Sequence, residues 1–238
     1  MKRREVLAVL AATAVTESAP LHAQSRWRRN SNSNNDSDSN NPARFTKQID
    51  LPHANAAGTV SLEEAIARRR SVRRYRPDAI PLASIGQLLW AGQGITRDND
   101  RRAAPSAGAL YPLELYTVSA TEIMHYLPQG HRAETRSSND LRPELRALSV
   151  DQASVGTAPL LIAVAAESAR LNERYGARAV PYTNMEVGHA TQNILLQAVV
   201  LGLAAVPVGA VDGPGAARAL GLPAGQTVAY LVPVGYPA

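Results

Sequence analysis

Residues 188–211 read GHATQNILLQAVVLGLAAVPVGAV. Val187, Ala190, Ile194, Ala198 and Leu201 follow helical spacing, which predicts one helix over Glu186–Leu203. From Ile194 on, only Gln197 and Gly202 interrupt the apolar residues. A helix apolar all round belongs inside a core or an oligomer interface. It is too short to span a bilayer, which takes about 20 apolar residues. Gly202 is placed to stop it. Beyond it, Val206–Gly209 reads as a strand, Gly215–Leu220 as a helix and Thr227–Val234 as a final strand.

Working back from that helix, Pro159–Ala165 (PLLIAVA) is a short apolar run and reads as a buried strand. Asn139–Leu148 is predicted helical, with Asp140 able to cap nearby amides. Leu113–Val118 alternates as a strand, and Ile123–Tyr126 is another, turning at Pro128-Gln129-Gly130. Residues 95–109 read as a loop. Pro81 opens a short helix, Leu82–Ala91, with Ile85, Leu88 and Leu89 inward. Ser61-Leu62-Glu63-Glu64 is a capping box, and it starts a helix through Ala65, Ile66 and Ala67. Strands and helices do not alternate strictly, so the class is α+β.

The chain has 238 residues, 45% of them hydrophobic, with a net charge of +5. That charge is not one surface: residues 1–45 carry 7 basic and 4 acidic groups, and residues 46–238 carry 18 and 16. No nucleic-acid partner is expected from so even a balance. The absence of cysteine excludes disulfides, thiolate metal sites and a cysteine nucleophile. The five histidines are scattered with no metal-pair spacing, and no metal site is expected.

The first residues, MKRREVLAVLAATAVTESAPLHAQ, combine a basic head, an apolar run over Val6–Val15 and a polar end. This is the layout of a bacterial export signal, expected over residues 1–23, and the paired Arg3-Arg4 resembles the twin-arginine type. The expected location is periplasmic, with no stable membrane insertion once the signal is cleaved. Residues 24–45 are expected to be a disordered linker: from Asn30 to Asn41 every residue is Asn, Ser or Asp. The folded domain is then residues 46–238.

Within that domain Arg68–Arg76, RRRSVRRYR, holds six arginines in nine residues at the end of the capped helix. Taken alone it reads as a solvated helix end. It is followed in order by PSAGALYPLELY (Pro105–Tyr116), by Gly188–Val211, and by YLVPVGYP (Tyr230–Pro237). Together with RRSVRRY (Arg69–Tyr75), these segments resemble the FMN-dependent nitroreductase family, nearest its azoline-forming peptide dehydrogenase branch. The resemblance implies a mixed, mostly antiparallel sheet flanked by helices, with a long buried core helix. It implies a homodimer with FMN at the subunit interface.

The resemblance also assigns residues. Arg69, Arg70, Ser71 and Arg73 would hold the FMN phosphate and ribityl chain, arginine being suited to paired phosphate oxygens. Pro105, Ser106, Ala107, Gly108 and Ala109 would reach the flavin of the partner subunit, with Ala109 where the family often has asparagine. Pro207, Val208 and Gly209 would pass the ring, a backbone N–H there facing the flavin N5. The family commonly has a further Lys or Arg beyond GYP, whereas this sequence reads Ala238 there. Tyr111, Tyr175 and Arg178 are candidates for substrate contact. No side chain is assigned a catalytic role, because the flavin carries the chemistry.

The implied activity is ping-pong hydride transfer from NAD(P)H through the flavin to an unidentified acceptor. One alternative is a dehydrogenase or oxidase of a peptide or small molecule that passes electrons to oxygen or a quinone. The other is a non-catalytic flavin- or anion-binding module. The remaining charges, Arg68, Arg74 and Arg76, are expected to be surface groups.

Overall fold

The centre of the molecule is a strand that two cores compete for. In the computed structural model, which describes residues 44–238, all seven residues of Leu160–Ala166 are buried. A strand points successive side chains to opposite faces. Leu160, Ile162, Val164 and Ala166 therefore join one apolar cluster, and Leu161, Ala163 and Ala165 join the other. This explains why the sequence shows a continuous apolar run there and no alternation.

Numbered along the chain, the strands are β1 (Lys47–Asp50), β2 (Ile95–Arg97), β3 (Arg101–Arg102), β4 (Leu113–Val118), β5 (Glu122–Leu127), β6 (Arg132–Ser137), β7 (Leu160–Ala166), β8 (Ala204–Ala205) and β9 (Thr227–Gly235). Seven of them form one sheet in the order β1-β6-β5-β4-β7-β9-β8, and every strand pair in it is antiparallel. A single parallel bridge, Ser71 to Ala205, adds the arginine segment to its edge. β2 and β3 form a separate hairpin.

The helices are α1 (Leu62–Arg68), α2 (Leu82–Gln93), α3 (Arg142–Ala147), α4 (Ala153–Thr157), α5 (Asn172–Tyr175), α6 (Ala179–Val200) and α7 (Gly213–Ala219). α2 and α6 cover one face of the sheet through Leu88, Leu89, Ala190 and Ile194. α3, α4 and α7 cover the other through Leu145, Val155, Ala216 and Leu220. None of the described helices is long and apolar enough to cross a membrane.

Several elements depart from the sequence reading for identifiable reasons. α6 starts seven residues earlier than expected, because Pro181 falls in its first turn, where no intrahelical N–H partner is needed. Residues 95–102 form the β2–β3 hairpin inside what reads as a loop. β6 has no apolar signature: its RAETRS buries Ala133, Thr135 and Arg136. Pro207 cannot donate to a ladder, so the strand expected over 206–209 does not form: β8 stops just before it at Ala205, and only an isolated bridge from Val208 to Leu231 follows. Phe45, counted in the linker by composition, stacks on Tyr116 and packs against His125 at 5.8 Å. The expectations for the export signal, and for the linker as far as residue 43, lie outside the described residues.

Candidate functional site

Ser61 opens α1 as expected: its side chain accepts the Glu64 N–H at 3.1 Å. The helix is short, with only Ala65 buried, and it ends at Arg69. From there the chain is held on both sides. The Val72 N–H donates to the Ala205 carbonyl at 3.3 Å, and the Arg76 N–H donates to the Tyr236 carbonyl at 2.9 Å. Between them the Tyr75 hydroxyl bonds the carbonyls of Val72 and Pro233 at 2.5 and 3.2 Å, and burial pushes its pKa up. The arginines thus project from a backbone fixed to the sheet edge.

The structure sorts these arginines by their partners. Arg68 is neutralised by Glu64 at 2.7 Å, and Arg76 by Asp78 at 3.2 Å while it lies over the Tyr236 ring. Arg70 donates only to the carbonyls of Ala67 and Arg69, at the C-terminal end of α1 where a cation is favoured. Arg73 reaches only the Ser71 carbonyl, at 3.5 Å. Among the described residues, neither Arg69 nor Arg74 has a carboxylate in ion-pair range. Three of the four arginines without an acidic partner are therefore the three assigned to a phosphate.

Arg68, Arg69 and Arg70 rim a groove whose floor is Leu195, Val199 and Leu203, with Ala204, Ala205 and Pro237 along its side. Cations over an apolar floor suit a phosphate ester carrying a flat ring, so the residues present fit FMN. The groove measures about 210 Å³, below the roughly 300–1,000 Å³ of ordinary small-molecule sites. Pro207, Val208 and Gly209 continue from its edge. The Val208 N–H is spent on the Leu231 carbonyl at 2.8 Å, whereas exposed Gly209 has no backbone partner for its N–H. A Cβ at Gly209 would stand 2.7 Å from the Tyr230 ring, so only glycine lets the chain pass there.

The second set of candidates lies elsewhere. The Ala107 N–H donates to Glu186 near the start of α6, while the groove opens at Leu195 and Val199 near its end. Nine residues of helix separate Glu186 from Leu195, roughly 14 Å at 1.5 Å per residue. One chain does not bring Pro105–Ala109 to the arginines.

That loop is bent by three left-handed positions within four residues: Gly108 (φ 61°), Ala109 (φ 55°) and Tyr111 (φ 47°) lie on the positive side. Such a conformation costs about 1–2 kcal/mol for each residue other than glycine. Specific contacts offset it. The Tyr111 N–H donates to Ser106 Oγ at 2.9 Å, and its carbonyl accepts from Arg170 at 3.0 Å. The Tyr111 hydroxyl accepts the Arg102 N–H at 3.3 Å, and the Arg102 guanidinium lies 4.4 Å from the ring centroid. Arg170 in turn meets Glu114 at 2.6 Å and Glu167 at 2.7 Å, and Glu114 meets His125 at 2.9 Å. Burial alone would push the Glu114 carboxyl up, but the His125 bond and the Arg170 charge hold it below the usual range.

Among the substrate candidates, Tyr111 is locked into this loop. Tyr175 caps it, for a Cβ on Gly108 would sit 2.9 Å from the Tyr175 hydroxyl and 2.8 Å from Arg174 Nη1. Tyr175 also packs edge-on against Tyr182 at 5.1 Å. Arg178 is exposed at the start of α6, with no ion pair. Sequence reasoning missed Glu186, Arg102 and Arg174. Glu186 alone left a trace, as a carboxylate beside Val187 on a buried helix. Among the described residues no group of three His, Asp or Glu side chains comes together as a metal site.

The chain thus combines an antiparallel α+β sheet, a long core helix and a cationic groove over an apolar floor. The comparisons give the family. The model of the nitroreductase family matches residues 66–236, and the chain belongs to that family. A protein of Methanocaldococcus jannaschii named as a nitroreductase is 35% identical over 171 residues, covering 69% of this chain and 85% of that one. A solved structure from Ralstonia eutropha, also named as a nitroreductase, is 25% identical with a TM-score of 0.73, covering 82% of this chain and 91% of that one. An NADPH:FMN oxidoreductase of Vibrio harveyi, solved with NAD+, is similar in fold at 21% identity and a TM-score of 0.57, covering 74% and 68%. Membership makes the chain an oxidoreductase and carries with it the FMN that the motifs imply.

Proposed function

We propose that the chain is an FMN-dependent oxidoreductase whose two flavin sites are each assembled from two copies of the chain. The observation that carries this reading is the separation of the half-sites along α6. In one chain the Pro105–Ala109 loop is held at Glu186, about 14 Å along α6 from the groove floor at Leu195, so a single copy does not close its loop over the arginines. A second copy would bring its loop to this groove. The exposed Leu62 and Ile66 on α1, and Val180 and Met185 on α6, supply apolar surface for the contact.

When bound, FMN supplies a centre at N5 that takes and gives hydride. The chain's own residues do the rest. Arg69, Arg70 and Arg73 hold the phosphate, with Ser71 beside them, and their positive charge favours an anionic reduced ring. Gly209 offers a backbone N–H that adds no charge. The loop excludes water, and Tyr175 and Arg178 stand at its outer side toward a small-molecule or peptide substrate. NAD(P)H is the proposed donor, in ping-pong order. Ala109, in place of an asparagine, supports placement near the azoline-forming peptide dehydrogenases.

The basic head and apolar run of residues 1–23 support periplasmic delivery by the twin-arginine route. Free nicotinamides are scarce there. That favours, as a second reading, oxidation of a peptide or small molecule with oxygen or a quinone as acceptor. Purified protein tests both. It should be yellow, release FMN on denaturation and run at twice the chain mass. Colourless protein that takes up no added FMN would defeat both readings. Anaerobic bleaching by NADH or NADPH supports the first, and bleaching only by an organic substrate supports the second.

A further inference from the structure

Glu186 is a carboxylate inside the helix that most defines the core, and it is only 4% exposed. No lysine or arginine among the described residues ion-pairs with it. Its Oε1 accepts the Ala107 N–H at 2.7 Å. A buried carboxylate without such a bond is costly, so the contact with the loop backbone is specific. Burial pushes its pKa up, against the pull of the Ala107 N–H, the Ser106 hydroxyl and the charges of His189 and Arg102. Arg102 belongs to β3 and is itself turned toward Gln93 at 2.8 Å and the Tyr111 ring.

What Glu186 holds is the strained part of the chain. Ala107 opens the turn that leads through left-handed Gly108 and Ala109 to left-handed Tyr111. Ser106, the residue before Ala107, receives the Tyr111 N–H on its hydroxyl oxygen at 2.9 Å and so closes the bend on itself. The carboxylate therefore pins the start of this closed bend to α6 through Ala107. The helix is rigid where it lies, since Val187 and Ala190 are buried in the core on the same side. On its outward side Met185 and His189 are exposed.

We infer that Glu186 is a positioning residue of the flavin site. It acts through Ala107 to hold the Pro105–Ala109 loop in the shape that covers the partner's cofactor. This inference rests on the proposed reading that the loop faces FMN across a dimer.

The test uses the full chain, with Glu186→Ala, Glu186→Gln and, from the other side of the bond, Ala107→Pro, which deletes the donor. Two quantities are read: amide exchange in residues 105–112 against that in β7, and the FMN dissociation constant by flavin fluorescence. Glu186→Ala should speed loop exchange about tenfold with β7 unchanged. It should weaken FMN binding about tenfold, and Ala107→Pro should do the same. Glu186→Gln keeps an acceptor for Ala107 and should restore most of both. The inference is overturned if loop exchange in Glu186→Ala matches wild type, or if Gln is as damaging as Ala. A loosened loop with unchanged FMN affinity also overturns it, and places the failure in the dimer-site reading. If Glu186→Ala does not fold, Ala107→Pro and Glu186→Gln still decide the question by the same two measurements.

Discussion

Removing Arg69 and Arg73 together, and separately Arg68 and Arg76, asks whether the sorting of the arginines has the meaning given to it. All four lie within nine residues, and all four are cations of one segment. Arg68 and Arg76 already spend their charge on Glu64 and Asp78. Surface pairs of that kind are worth about 0–1 kcal/mol, so their loss should hardly matter to the cofactor. Arg69 and Arg73 have no such partner. A hydrogen bond to a charged group is worth about 1.5–3 kcal/mol. Arg69 is only part-buried at the rim of the groove and Arg73 is exposed beside it, so the lower figure is the right one for each. Two bonds then sum to about 3 kcal/mol, or roughly a hundredfold in the dissociation constant. Screening adds a second signature. The Debye length falls from about 10 Å at 0.1 M salt to about 3 Å at 1 M, so the gap between wild type and Arg69→Ala/Arg73→Ala should narrow as salt rises. The assay is equilibrium titration of apoprotein with FMN at both salt concentrations. The reasoning is refuted if Arg68→Ala/Arg76→Ala weakens binding as much as the other pair, or if losing Arg69 and Arg73 leaves affinity unchanged.

Three further outcomes are expected. Gly108→Ala forces a Cβ into a left-handed position already filled by Arg174 and Tyr175, so the loop should lose about 1–2 kcal/mol, read as weaker FMN binding with little change in Tm. Ser61→Ala removes the cap of α1 and should cost about 1 kcal/mol in urea unfolding, with FMN affinity falling as the arginine-bearing helix end frays. Glu114 titrates below the usual carboxylate range in the folded state, so its contribution is present above its unfolded value and is lost as pH falls through the folded one. Breaking its buried pair by Glu114→Gln should therefore lower the unfolding free energy measured in urea at pH 7, by about 3 kcal/mol at most, and should narrow the loss of stability on acidification.

How far the chain could be read depended on which physical signal each element carries. Apolar periodicity located α2, β4, β7 and the C-terminal half of α6, and the Ser61 cap located α1, because burial and capping act on residues close in sequence. β6 escaped because its inward positions are Ala133, Thr135 and Arg136, and the last is bonded to the Leu220 carbonyl of a distant helix. The first turns of α6 escaped because Pro181 looks like a stop until its place in the turn is known.

The sequence by itself determined the class of fold and the family, since four ordered motifs and a helix apolar all round admit few arrangements. It pointed to the arginine segment as a candidate phosphate site only through the family resemblance, since a charge run by itself reads as a solvated helix end. The tertiary structure decided which arginines retain charge to give, because ion pairing depends on side-chain distance and six adjacent guanidiniums look alike in a string. It decided that the groove and the loop stand about 14 Å apart along one helix, a separation that only folded geometry expresses. And it gave Glu186 its place, for a carboxylate in an apolar helix has no meaning until the amide it holds, 79 residues away in the chain, is brought to 2.7 Å.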